Sequence, residues 1–182
     1  MHIEPISTQA VIMAKRVTLR PLRKSDKGLL DLYAGDVRVS TFTRSIPNPM
    51  PPGATEAFIR QCLAEDRTED VWAMDGTASG LGELVGVIGS ERMETRNGSK
   101  QSEIGYWVAP GMWNTGLASE AVNALLDANP QQCDTIFAEV FQDNPRSARV
   151  LTNAGFEYIG DAEAFSVARN AKVQTWTYLK KF

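Results

Sequence analysis

From Glu103 to Phe141 the chain runs through an apolar strand-like segment, a glycine-bearing loop, an amphipathic helical pattern and a second apolar strand-like segment, and this order restricts the fold more than any other feature. Glu103-Ile-Gly-Tyr-Trp-Val108 and Ile136-Phe-Ala-Glu-Val-Phe141 are rich in β-branched and aromatic residues. Between them Leu117, Ala118, Ala121, Val122 and Leu125 form one helical stripe, which Asn129-Pro130 stops. A strand–helix–strand crossover within one sheet makes the two strands parallel and is right-handed. The expected fold class is therefore α+β, or mixed α/β.

The flanks fill in the rest. Arg16 to Leu22 alternates like a strand, and Ser25-Asp26 can cap a helix through Leu29, Leu30, Leu32 and Tyr33. Ser45 to Gly53 holds four of the nine prolines and is expected as a loop, with a second short helix from Thr55 to Leu63. Val71–Met74 and Leu84–Ile88 read as strands, and Asn97-Gly98 as a turn before residue 103. Asn144 can cap a short helix with Pro145 in its first turn and Gly155 at its left-handed end. Phe156–Ile159 and Val173–Leu179 supply two closing strands around a polar loop, 161–172.

At 182 residues the chain is expected to form one domain, 1–182, with residues up to about 14 as a frayed end. A chain this long buries enough surface to need neither disulfides nor a structural metal. Cys62 and Cys133 lack CxxC spacing and His2 is the only histidine, which argues against a zinc site and any histidine-based triad. The net charge of -3 comes without a long basic tract, so direct nucleic-acid binding is not expected. The N-terminal residues do not read as a secretion signal and no apolar run reaches a membrane span, so the expected location is cytoplasmic, away from membranes.

The chemistry concentrates in Gly111-Met-Trp-Asn-Thr-Gly-Leu-Ala118, which joins the first apolar strand to the helix. Backbone N–H groups at a helix start lack intrahelical partners and converge at the positive end of the dipole, a setting for phosphate. The usual nucleotide motifs are absent: GxxxxGK[ST] does not occur, and Gly80-Leu-Gly82 misses the third glycine and leads into a strand.

Ser102-Glu-Ile-Gly-Tyr-Trp-Val-Ala-Pro110, Trp113-Asn-Thr-Gly-Leu-Ala-Ser-Glu-Ala121, Asn144-Pro-Arg-Ser147 and Asn153-Ala-Gly-Phe156 together resemble the GNAT superfamily of acyl-CoA N-acyltransferases. Within it they are most similar to the branch of ribosomal-protein N-terminal-alanine acetyltransferases. The order of elements agrees from Arg16 onward, about nine-tenths of the chain. The resemblance implies a mostly antiparallel twisted sheet with one parallel pair that splays apart, flanked by about four helices. It also implies acetyl-CoA as acyl donor, without a metal. Its pantetheine arm would meet Tyr106, Trp107 and Val108, and its pyrophosphate the N–H groups of Asn114, Thr115, Gly116, Leu117, Ala118 and Ser119. Gly116 and Ala118 match the family loop [RQ]xxGx[GA], while Trp113 departs from its first position. Asn144 and Ser147 would contact the donor near its sulfur.

The implied reaction is attack of an amine on the thioester, which asks for a neutral amine and a proton for the departing thiolate. Neutralising an amine at pH 7 costs about 1 kcal/mol for an α-amine and about 4–5 kcal/mol for lysine. Glu103 is the expected base or water-holding residue, although a nearby cation such as Lys100 could simply pair with it; Glu139 is a weaker candidate. Many relatives place a tyrosine acid seven residues after the Asn144 position, where this chain has Leu151. Ser147 takes its place by analogy, with Tyr106 and Tyr178 as other hydroxyls and Phe42, Trp72 and Trp107 as pocket aromatics. The expected acceptor is a peptide or protein N-terminal α-amine; a small-molecule amine and a non-catalytic CoA-binding sensor are the alternatives. A monomer or homodimer is expected.

Overall fold

A computed structural model of the chain describes residues 9–182. Eight strands form one sheet: β1 (Ile12–Met13), β2 (Thr18–Pro21), β3 (Glu69–Asp75), β4 (Gly86–Met93), β5 (Gln101–Val108), β6 (Thr135–Phe141), β7 (Glu157–Ser166) and β8 (Ala171–Lys181). Their spatial order is β1-β2-β3-β4-β5-β6-β8-β7, and all neighbours are antiparallel except β5 and β6. Among the described residues five α-helices cover the sheet: α1 (Lys27–Ala34), α2 (Val37–Ser40), α3 (Ala54–Cys62), α4 (Leu117–Ala128) and α5 (Pro145–Asn153). The mixed architecture and the parallel crossover pair agree with the reading of the sequence.

Strand alternation gives the sheet two apolar faces. Leu19, Trp72, Ile88, Ile104 and Ile136 pack with Leu117, Ala121, Val122 and Leu125 of α4 and Leu151 of α5. On the other face Val71, Ala73 and Val87 pack with Leu30 of α1 and Ile59 and Cys62 of α3. Each helix is seated by a stripe spaced for one side of a 3.6-residue repeat. Among the described residues no helix is long and apolar enough to cross a membrane.

Four local expectations change, and one falls outside the described residues. His2 and residues 1–8, with that part of the expected frayed end, lie outside the described residues. Residues 9–14, expected to fray with them, are packed: Gln9 donates to the Val71 carbonyl at 2.8 Å, and Ile12 is buried against β2. The polar loop 161–172 is largely strand, since β7 and β8 stay paired out to Ser166 and Ala171. A backbone ladder needs no apolar side chains, so this overhanging edge hairpin carries little hydrophobic alternation. The short helix α2 was not expected; Asp36 caps it by accepting from the Arg38 N–H at 2.9 Å. Asn144 occupies the expected position but does not cap α5 with its side chain. Asp26 caps the turn that leads into α1, accepting the Arg23 N–H at 2.7 Å together with two bonds of 2.9 Å from Arg20, and Gly155 adopts the expected positive φ, +87°.

Candidate active site

The parallel ladder between β5 and β6 covers only Gln101–Ile104 against Thr135–Ala138. Beyond those residues β5 stays paired to β4 as far as Val108, and β6 to β8 as far as Phe141. The facing edges of Gly105–Val108 and Glu139–Phe141 thus border a gap. Ala109 N–H bonds the Val85 carbonyl, so the alternation of an antiparallel ladder turns the N–H and C=O of Tyr106 and Val108 toward that gap. The Trp113 indole takes the Val108 carbonyl at 2.8 Å, leaving both groups of Tyr106 and the Val108 N–H. A cavity of about 1040 Å³ runs through the gap and opens to both faces of the sheet.

One end of the cavity is the start of α4. Asn114 and Gly116 take positive φ, +60° and +82°, and Gly116 is the residue from which the helix starts. Both conformations turn the loop sharply so that the first helical N–H groups border the cavity. Arg16 fixes the turn from behind: its side chain bonds Glu120 at 2.8 Å and the Thr115 carbonyl at 2.9 Å. Glu120 in the first turn also complements the dipole, and its bonds from Arg16 outweigh burial to hold its carboxyl below the ordinary range. Arg146 and Arg149 bring positive charge to the same side, with Arg146 stacked over Trp113.

Further along the donor side, Tyr106 points toward α5 and meets Ser147, 2.8 Å between hydroxyl oxygens and 3.1 Å from the phenol to the Ser147 carbonyl. Burial, before any other cause, pushes the Tyr106 pKa up, so the phenol stays neutral and able to donate. Leu151, where a tyrosine acid would stand, is fully buried core.

Glu103, Gly105 and Trp107 lie on the opposite face, toward α1 and α3. Cross-strand register lines up Glu69, Glu91 and Glu103 in one row and Val71, Gly89 and Gly105 in the next. Glu139 of β6 joins the second row, two residues beyond Phe137, the partner of Glu103. Arg44, from the segment after α2, bonds Glu103 at 2.5 Å and Glu139 at 3.1 Å. Its carbonyl is held in turn by the Val167 N–H of the β7–β8 turn. Burial raises the Glu103 pKa, with Arg44 opposing it. Phe42, Phe58 and Ile46 also line this side of the cavity.

All the expected donor-site residues border the cavity except Thr115, whose carbonyl faces Arg16 and whose hydroxyl bonds the Met112 carbonyl. Asn144 is half-buried at the wall, its side chain unused by its own helix. Lys100 is not the partner of Glu103; it reaches Gln132. Phe42 and Trp107 line the cavity, but Trp72 is entirely buried and bonds the Ala10 carbonyl. Tyr178 packs edge-on against Tyr158 instead of entering the site. Ser147 and Glu103 therefore border the same gap from opposite faces. The sequence reading missed Arg44, Arg149 and Glu69; only the cross-strand register reveals the last.

The acetyltransferase (GNAT) domain family matches residues 16–157, and the chain belongs to that family. Its relatives include the uncharacterized N-acetyltransferase p20 of Bacillus licheniformis, 24% identical over 92% of this chain and 93% of that one. A ribosomal-protein-serine acetyltransferase of Escherichia coli K12 is 36% identical over 76 residues, 41% of each chain. Among solved structures, Mycobacterium smegmatis RimJ in complex with a CoA disulfide shares the fold, with a TM-score of 0.79 at 21% identity over 94% of this chain and 87% of that one.

Proposed function

We propose that this acetyltransferase moves the acetyl group of acetyl-CoA to a primary amine, with a peptide or protein N-terminal α-amine as the acceptor. The observation that carries this reading is the early end of the β5–β6 ladder, with a helix start on one side of the gap and carboxylates on the other. The residues fit the donor. The N–H groups around Gly116, with Arg146 and Arg149 beside them, suit its phosphates. The Tyr106 groups and the Val108 N–H suit an amide-bearing arm, and Asn144 and Ser147 lie where that arm would end.

The amine approaches from the face of Glu103, which with Arg44 holds water and orients the ammonium. As the C–N bond forms and the C–S bond breaks, the sulfur needs a proton. The neutral hydroxyls of Ser147 and Tyr106 supply a donor on its side of the sheet. Replacing Ser147 by Ala is expected to lower kcat about 10–100-fold with KM for acetyl-CoA changed less than threefold, and Tyr106→Phe to have a similar effect. Steady-state kinetics with varied acetyl-CoA test both; unchanged kcat in the two variants would remove this pair from the proton path.

The α-amine assignment draws on the similarity to the ribosomal-protein-serine acetyltransferase and on the lower cost of deprotonating an α-amine. The carboxylate row supports a second reading, a small cationic amine. It also goes beyond the two carboxylates named from the sequence, because Glu69 lines this cavity together with Glu103 and Glu139. Competition at equal concentration among Ala- or Ser-starting peptides, their N-blocked forms and a polyamine separates the readings. Label is expected on the unblocked peptides, at least tenfold over the others. Preferential labelling of the polyamine would transfer the assignment to small amines.

A further inference from the structure

We propose that Glu69, not Glu103, is the group that finally takes the proton from the acceptor ammonium; this rests on the acetyltransfer reading above. Glu69 stands at the start of β3, two strands from the gap, yet its carboxylate lies across the neighbouring strand. A β-carbon on Gly89 of β4 would collide with Glu69 Oε1, so the absence of a side chain there is what lets the carboxylate reach over β4. Gly89 is the register partner of Gly105, the residue immediately after the last β5 residue paired to β6. A β-carbon on Gly105 would meet nothing within 4 Å, so the floor between Glu69 and the mouth of the gap is open. One strand spacing, about 4.8 Å, separates Gly89 from Gly105 at the edge of the gap, so water over the bare Gly105 links the carboxylate to an amine at the mouth.

Glu91, the other carboxylate of the row, is exposed to solvent, and the remaining rivals are engaged. Arg44 bonds both Glu103 and Glu139, and Thr175 donates to Glu139 as well. Glu69 has no ion-pair or hydrogen-bond partner among the described residues, and it lines the same cavity. A base held by a guanidinium is a weaker proton acceptor than one that is not.

The electrostatic surroundings agree. Burial first, then Glu91, Glu103 and Asp70, push the Glu69 pKa up to about 7, with Arg44 opposing them. Cys62 of α3 also faces this group; its thiol is pushed up to about 12 by burial and by Glu69, while Arg67 pulls it down, so it stays neutral. A base poised near neutrality is ionised often enough to act and basic enough to take the proton.

The ammonium gives one proton to the Glu69 carboxylate through the water, and the freed lone pair attacks the thioester carbonyl carbon. The C–N bond forms, the C–S bond breaks, and the sulfur leaves with the bonding pair. The nitrogen's second proton passes to water as the amide forms, the sulfur takes a proton from the Ser147–Tyr106 pair, and that pair is refilled from solvent. Glu69 then returns its proton to solvent.

The test is the pH profile of kcat/KM for wild type, Glu69→Gln, Glu69→Asp and Glu103→Gln, with melting temperatures measured across the same range. Wild type is expected to show a limb near pH 7. Glu69→Gln should lose that limb and at least 30-fold of the activity at pH 7, recovering as the free amine titrates. Glu69→Asp should keep the limb at reduced rate, which preserves the test should the Gln variant not fold. Glu103→Gln should move the limb to lower pH without abolishing it, because removing that charge relieves Glu69. The proton count also predicts a signature in stability. Folded Glu69 binds its proton more tightly than the unfolded chain, so it costs stability increasingly as pH rises from about 4.5 to about 7. Glu69→Gln should therefore melt above wild type at pH 8 and level with it near pH 4. A limb that persists in Glu69→Gln, or that disappears in Glu103→Gln alone, would overturn the assignment. Wild type that acetylates no amine would instead sink the acetyltransfer reading itself.

Discussion

Replacing Arg20 by methionine is expected to cost about 3–5 kcal/mol of folding stability at pH 7, the range for removing one member of a buried charge network. Arg20 is 5% exposed and bonds both oxygens of Asp26 at 2.9 Å, Asp75 at 2.7 Å and the Glu83 carbonyl at 2.8 Å. It thus ties β2 to the entry of α1, to β3 and to the strand connection at residue 83. Methionine conserves much of the volume but leaves Asp26, 1% exposed, as a buried charge without its cation. Burial opposes ionisation of Asp75, but bonds from Thr77 and Arg20 outweigh it and hold that carboxyl below its usual range. A depressed carboxylate stabilises the fold above its unfolded pKa and loses that contribution as pH falls through the folded value. The deficit of the variant should accordingly shrink as pH drops below about 4, the ordinary aspartate range. Urea titrations at pH 7 and 3.5 measure this, and Arg20→Met/Asp26→Leu should recover at least half the loss. A single-variant cost below about 1 kcal/mol at pH 7 would mean that water reaches the cluster and screens it, as at a surface ion pair.

The second large effect belongs to Gly116. Proline at this position should weaken acetyl-CoA binding at least tenfold, about 1.4 kcal/mol, while the fold persists. Gly116 sits at φ +82°, whereas proline fixes φ near −65° and removes an N–H. The helix-start donors would be turned out of line with the cavity. The remainder of α4 stays seated, because Leu117, Ala121, Val122 and Leu125 are buried in the core and Arg16 still holds Glu120. Calorimetric titration with acetyl-CoA, alongside a melting curve, measures both halves of the prediction. An unchanged Kd in a folded variant would relocate the donor site away from the start of α4.

Much of this architecture was legible because local pattern and global fold agree. The stripe of α4, its stop at Asn129-Pro130 and the apolar runs of β5 and β6 are short-range facts, and a strand–helix–strand crossover leaves only a parallel pair. The motif residues from Ser102 to Phe156 carried the family in the same way, since each is set by a loop or helix end within a few positions. Where the pattern was silent, the chain was obeying a rule that leaves no apolar trace. The β7–β8 extension is backbone ladder with solvated side chains, and α2 is four residues capped by one aspartate.

The sequence by itself determined the order of the elements from β2 onward apart from α2, the parallel crossover, the glycine turn at the start of α4 and the family. Only the tertiary structure decided which carboxylates share a site and which of them are tied. Glu69, Glu91, Glu103 and Glu139 are scattered over 70 residues of chain, and strand register alone sets them side by side. Arg44, which no sequence pattern singles out, becomes the cation between Glu103 and Glu139 because the β7–β8 turn holds its backbone there. The physical reason is one of range. Backbone conformation answers to neighbours a few residues away, whereas a side chain's proton affinity answers to charge and burial within a few ångströms, whatever the separation in sequence.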